Sequence, residues 1–223
     1  MPYAAINGKR LASARITMPF YGVWCADVVL AVADTIALPC VIQLGDLSLA
    51  GTVYRMASFS GSRSARVIGG AAGWRKVIPA QAYSKAQGVP LSLILGDAAS
   101  LVGERINLTQ DQTLGTTYVR ENAPAERLLR QLAGPEWWMD NTGITQIGTR
   151  PGSAITSPFT MVDWSGGKGR FEVATEVLSD WLPGRKFSNS NVSTPQQIGM
   201  TSFVMDNDGK LRVTVLSDGV GSQ

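Results

Sequence analysis

The feature that most narrows the possible folds is the rhythm of chain breakers in the first seventy-odd residues. Short apolar stretches are cut every few positions by Gly, Pro or Asp, as in "RITMPFYGVWCADVVLAVADTIALPCVIQLGDLSLAGTVYRM". Short strands separated by frequent turn residues suit a small β-barrel. Asn7-Gly8 lies between two strand-like runs and supplies positive φ at both central positions, which predicts a type I′ hairpin. Ile16, Met18 and Phe20 then alternate with Arg15, Thr17 and Pro19, the period of a half-buried strand. After Gly22, "VWCADVVLAVA" is nearly continuous in apolar residues and rich in Val, as expected of a strand buried on both faces. Gly45-Asp46 predicts a turn and Gly51 a bulge, and "SFSGSRSARVIGGAAGW" adds a loop and one more strand.

Composition removes several chemistries. The 223 residues contain no histidine, which excludes Ser-His-Asp and Cys-His catalysis and the usual zinc, iron and copper sites. Charged residues are 17% of the chain, below the roughly 25% of ordinary soluble domains, so much of the surface is expected to be covered by partners rather than simply neutral and polar. The net charge is +3, and the basic residues, mostly Arg, are scattered instead of forming the stripe typical of nucleic-acid binders. Scattered Arg fits interface hydrogen bonds and ion pairs. Cys25 and Cys40 read as small buried hydrophobes of a protein made in a reducing compartment. The N-terminus lacks the apolar core of a signal peptide. Residues 23–44 are apolar enough to be tested as a membrane span, but Asp27, Asp34 and Pro39 interrupt them, and no span is expected.

The character changes after Trp74. In "PLSLILGDAASLVGE", Leu91, Ile94, Leu95, Ala98, Leu101 and Val102 fall on one helical face. A second helix begins around Pro124, carries Glu126 near its positive end and an Ala125, Leu128, Leu129, Leu132 stripe, and stops at Gly134-Pro135. "EWWMDNTGITQIGTR" predicts a hairpin turning at residues 140–143, and "SFVMDNDGKLRVTVL" predicts another, with Leu211, Val213 and Val215 on one face. The order predicts a mainly β protein with a small α/β insert: a first β-barrel domain over 1–75, the insert over 76–150 and a second β-barrel domain over 151–223. No clean internal repeat is visible.

No motif survives as a catalytic, cofactor or metal site. "WSGGKGR" has the glycines and Lys168 of a phosphate loop, but Gly169 stands where Ser or Thr is required, so a hairpin turn is the better reading. "GGAAGW" lacks G-x-G-x-x-G spacing and reads as a tight chain reversal. "DNDG" and "DNTG" lack the alternating acids of a calcium loop. Asp163, Glu172, Glu176 and Asp180 carry no spacing that would pair them as a glycosidase acid and base. Trp137 and Trp138 are adjacent, and strand geometry sends neighbours to opposite faces, so one is expected in the core and the other against a partner subunit.

In three places the sequence resembles the hub proteins of phage tail baseplates, related to the N-terminal part of type VI secretion spike proteins and to the late control tail proteins. "ITMPFYGVWCADVVLA…IQLGDLSLAGTVYRM" is similar to the first barrel of such hubs, "YVRENAPAERLLRQLA" with "WWMDNTGITQIGTRP" to their small α/β insert, and "LPGRKF…IGMTSFVMDNDGKLRVTVL" to their final barrel. The resemblance implies a structural, non-enzymatic protein of the virion tail, assembled in the host cytoplasm. It implies a homo-oligomeric ring, a trimer whose two barrels per chain give pseudo-sixfold symmetry. That ring would join the tail tube to a central spike or fibre and let DNA cross its lumen without specific binding. It implies no cofactor. Two other classes stand beside it: an OB-like single-strand nucleic-acid binder, and a tail-associated cell-wall hydrolase.

Overall fold

The computed structural model describes residues 4–32, 34–59, 61–165, 167, 169–189 and 192–217, and the protein is mainly β, as the breaker rhythm predicts. The first unit is a closed barrel of six antiparallel strands: β1 (Ala4–Ile6), β2 (Lys9–Pro19), β3 (Cys25–Leu30), β4 (Cys40–Leu44), β5 (Leu47–Phe59) and β6 (Ser62–Gly69). They neighbour one another in the order β1-β4-β5-β6-β3-β2, and β2 returns to β1 to close the ring. Asn7 and Gly8 have φ of 47° and 77°, the geometry of the expected type I′ turn. Ile16, Met18, Ala26, Val28, Ile42, Leu49 and Val67 fill the interior.

Trp24 plugs one end of this barrel and sets where glycine must stand. A Cβ on Gly51 would lie 2.8 Å from the indole and 2.5 Å from the Ile68 carbonyl oxygen, and one on Gly69 would lie 2.6 Å from the indole nitrogen. Gly51 therefore serves close approach and not the expected bulge; it is in register with Cys40, and the bulge falls three residues on, at Tyr54. β3 also departs from expectation. It alternates, with Ala26, Val28 and Leu30 inside and Asp27 outside, where its carboxylate pairs with Arg66 at 3.2 Å.

The insert carries β7 (Val77–Ile78), β8 (Gln81–Ser84), α1 (Leu91–Val102), β9 (Ile106–Leu108), β10 (Thr117–Arg120), β11 (Ala123–Pro124), α2 (Ala125–Ala133), β12 (Trp137–Met139) and β13 (Thr145–Ile147). Pro124 precedes α2 as its N-cap and Gly134 ends it. The buried face of α1 includes Ala99 and leaves Leu101 half exposed, so the helix is rotated slightly from the expected stripe. Gly103 ends α1 in the left-handed region, its N–H bonding back into the last turn. The expected β12–β13 hairpin forms, and β9 pairs with β13 in parallel. Inside it, Asp140 Oδ1 accepts from the N–H groups of Thr142 and Ile144, both at 2.9 Å.

The second β unit has β14 (Phe159–Ser165), β15 (Arg170–Thr175), β16 (Lys186–Asn189), β17 (Val192–Met205) and β18 (Leu211–Ser217). Ser165 pairs with Arg170, so the Gly-rich segment joins two strands as a hairpin; its Gly166 and Lys168 lie outside the described residues. The strand order β16-β17-β18-β15-β14 repeats the first unit's β4-β5-β6-β3-β2. The bulges repeat too. The register shift between Leu11 and Ser13 has its counterpart between Met161 and Asp163, and that between Val53 and Arg55 its counterpart between Ile198 and Met200. Among the described residues no strand closes this second unit as β1 closes the first. Its curl is filled by rings, Phe159 against Trp181 at 4.9 Å and Phe171 against Phe187 at 5.1 Å.

Two glycine substitutions should act in opposite directions. Gly51→Ala meets a buried ring and a backbone carbonyl that cannot swing aside, and is expected to destabilise by about 1–3 kcal/mol. Gly96→Ala, in α1 with nothing within 4 Å of the added carbon, is expected to stabilise by up to about 1 kcal/mol. Urea denaturation midpoints measure both.

Candidate interaction surface

The two β units share one sheet. Residues Ala14 to Pro19 of β2 pair with Met205 to Met200 of β17, and Ile16 faces Phe203, both fully buried. The result is a continuous run of eight strands, β5-β6-β3-β2-β17-β18-β15-β14. Only the first half of β5, residues 47–51, pairs with β4. The second half pairs with β6 alone, and β14 pairs with β15 alone, among the described residues. The eight-stranded run therefore ends in two open edges. Tyr54 and Met56 are exposed on the β5 edge, and Val162 and Trp164 on the β14 edge. Exposed strand edges with large apolar side chains are templates for pairing with another chain.

Polar side chains lock the barrel to the second unit and to the insert. Asp46, in the β4–β5 turn, accepts from the Leu178 N–H at 2.8 Å, from the Ser179 N–H at 3.2 Å and from the Ser179 hydroxyl, capping a 3-10 turn at Leu178–Asp180. Burial alone would raise this carboxyl, but the Ser179 hydroxyl and the two N–H donors outweigh it and hold it below its ordinary value. Arg150 is buried between barrel and insert. It donates to the carbonyls of Pro19 and Phe20 and lies over the rings of Phe20 and Trp138, at 5.6 and 5.2 Å. Burial pulls it down to about 10, which leaves it charged at neutral pH. Trp24 donates its indole N–H to the Asp140 carbonyl at 3.1 Å, which ties the barrel to the β12–β13 hairpin.

The N–H groups of the glycine loop after β6 are taken up within the chain. Gly70 and Ala72 take positive φ, and the loop turns the N–H groups of Ala71 and Gly73 onto Glu104, at 3.1 and 2.6 Å. Backbone N–H groups converging in this way make an anion cradle. Here the chain's own buried carboxylate occupies it.

Three of the four acidic candidates each reach an arginine, and the fourth, Glu176, is exposed. Asp163 and Glu172 are cross-strand neighbours that both reach Arg170, at 3.8 and 3.6 Å, and Asp180 lies 3.9 Å from Arg185. Arg120, buried in the insert, bonds Tyr83 and Asp97, each at 2.8 Å. Among the described residues no three metal-binding side chains converge, and no helix is long and apolar enough to cross a membrane.

The expectation that one of Trp137 and Trp138 faces a partner fails. Both are buried in this chain: Trp137 packs into the hydrophobic core, and Trp138 lies under the Arg150 guanidinium. The exposed tryptophan is Trp164, which the sequence did not single out. Its signal is its place beside a glycine-rich turn at a strand end, and that pattern is shared with many core tryptophans.

No known family profile matches the sequence, and no curated protein sequence matches it. Solved structures do share the fold. A component of the Escherichia coli type VI secretion system, c3393, described as structurally similar to the bacteriophage T4 tail proteins gp27 and gp5, superposes with a TM-score of 0.67 at 10% identity, covering 97% of this chain and 77% of that one. A tail protein of Neisseria meningitidis MC58 gives 0.64 at 12% identity, covering 98% and 97%. The 43 kDa tail protein of prophage MuSo2 from Shewanella oneidensis gives 0.64 at 11% identity, covering 97% and 96%. The chain thus has the fold found in these tail proteins, in line with the resemblance read from its sequence.

Two internal locks can be tested directly. Glu104→Ala strands the buried Gly73 N–H and the part-buried Ala71 N–H and is expected to cost about 1–3 kcal/mol, whereas Glu104→Gln keeps an acceptor and should cost less, by urea denaturation. Asp46 has a folded pKa below its unfolded value, so its contribution is complete above about pH 4 and is lost as pH falls through the lower folded value. The melting temperature gap between the wild type and Asp46→Asn should accordingly narrow as pH is lowered from about 6 to about 3.

Proposed function

We propose that this protein is a structural, non-enzymatic component of a phage-tail-like assembly, a hub ring that joins a tail tube to a central spike or fibre and leaves a lumen for DNA. The observation that carries this reading is the pairing of edges. Within the chain, the outer edge of the first unit's β2 pairs with the second half of β17. By the repeated strand order, β14 is the counterpart of β2 and β5 is the counterpart of β17. The two edges left open, β14 and the second half of β5, are thus one of each kind. A second copy can meet them head to tail, in the manner in which the two units already meet inside one chain. Head-to-tail contacts close into rings when the rotation per subunit allows it. With two similar units per chain, three copies give six similar positions, the arrangement expected at a junction between a sixfold tube and a threefold spike.

The low charge content and the apolar residues on both open edges support the same reading. The fold shared with the tail proteins of Neisseria meningitidis and prophage MuSo2 supports a place in the virion tail. Size-exclusion chromatography with light scattering should give a trimer, and a double variant, Met56→Glu with Trp164→Glu, should give a monomer of unchanged circular dichroism. A chain that is monomeric at all concentrations and missing from purified particles overturns the proposal.

A further inference from the structure

The outer face of the shared sheet carries a line of charge that folding does not explain. Arg55, Arg66, Asp27, Arg15, Val204 and Arg212 are directly opposed across six neighbouring strands, β5-β6-β3-β2-β17-β18. All four arginines and Asp27 are exposed. Asp27 pairs with Arg66 through both carboxylate oxygens, at 3.2 Å. Among the described residues Arg15, Arg55 and Arg212 have no carboxylate within 4 Å. Arg55 stands directly opposite Arg66, and like charges so placed weaken a sheet. Asp27 offsets Arg66 and the Tyr54 ring lies 5.5 Å from the Arg55 guanidinium, but among the described residues Arg15 and Arg212 have no partner within the fold, which points to a use outside it.

The line borders an open trough of about 900 Å³ whose floor carries the small side chains Ser13, Val29, Ser64 and Ala57. Six strands about 4.8 Å apart give the line an arc of at most roughly 24 Å along the curved sheet. That is wider than the roughly 12 Å major groove of B-form DNA, so phosphates of both strands come within reach. One aromatic ring, that of Tyr54, lies against Arg55 at the end of the line, and a single ring gives no run of platforms for stacking successive unpaired bases. We propose that this arginine line is a contact site for the phosphate backbone of double-stranded DNA, without sequence readout. Guanidinium forks suit phosphate oxygens, and the contacts release counterions, so the binding is weak and steeply dependent on salt. The face is complete in a single copy of the chain. Binding is expected whether or not a ring forms, and the two readings fail separately.

Fluorescence anisotropy with a mixed-sequence duplex of about 20 base pairs tests the proposal, with oligo-dT and polyglutamate as competitors. Three phosphate contacts predict a roughly 40-fold loss of affinity between 50 and 200 mM salt. Arg15→Ser, Arg55→Ser and Arg212→Ser should each lower the slope of log affinity against log salt by about one. Asp27→Asn frees Arg66 and should act in the other direction, with tighter binding and a steeper slope; a variant that merely unfolds cannot do this. The proposal is overturned by no duplex binding at low salt, by a slope unchanged in the triple Ser variant, by tighter binding to oligo-dT, or by displacement of the duplex by polyglutamate, which would mark the partner as an acidic protein.

Discussion

Residues 14 to 19 pair with β17 of the second unit, residues 14 to 17 among them pair with β3 of the barrel as well, and much of the molecule depends on that double use. A barrel strand ordinarily has both edges consumed by the barrel. β2 is long enough to divide its length. Its first residues pair with β1 at the hairpin, and its later ones leave that edge free for β17. Because side chains alternate, the same six residues present Ile16 and Met18 to the core and Arg15 and Thr17 to the outer face. The register that buries Ile16 against Phe203 is therefore the register that lines Arg15 up with Asp27 and Arg66. A slip of one residue would bury Arg15 and expose Ile16, which is why core packing fixes the order of the outer charges.

The polar groups inside the chain are directed at its own joints. Glu104 closes the loop that leads into the insert, Asp46 caps a turn of the opposite unit, and Arg150 reaches across to the carbonyls of Pro19 at the end of β2 and of Phe20 just after it. Each satisfies backbone groups that would be costly to leave unpaired. The glycine loop after β6 and the Asp140 turn thus have structural duties, and their polar groups are used within the fold. What remains unabsorbed lies on the outside: two open edges and one line of arginines.

Some of this was legible in the residues alone. The Asn7-Gly8 turn, the hairpin at residues 140–143 and the helix after Pro124 all follow from local geometry, because a positive φ or a fixed proline ring admits few alternatives. The repeat was not legible. Its equivalent cross-strand rows are Ala14, Val28, Ala65, Met56 and Trp164, Phe171, Val215, Thr201, which share no residue. Packing requires only that these positions fit their own surroundings, so strand order and bulge position persist while identity drifts. The Trp137-Trp138 pair misled for a related reason. Alternation sends the two side chains to opposite faces of β12, but whether the second face meets solvent depends on what else packs there, and Arg150 does.

The sequence by itself determined that this chain is mainly β, that a short helical insert divides two β-rich stretches, and that histidine-based chemistry is absent. Those conclusions need only local periodicity, turn residues and composition. Only the tertiary arrangement shows that the two β units fuse into one sheet, that among the described residues its ends at β5 and β14 are open, and that four dispersed arginines stand in one row. Arg15, Arg55, Arg66 and Arg212 are far apart in sequence, and only hydrogen-bond register, set by the burial of their neighbours, brings them together.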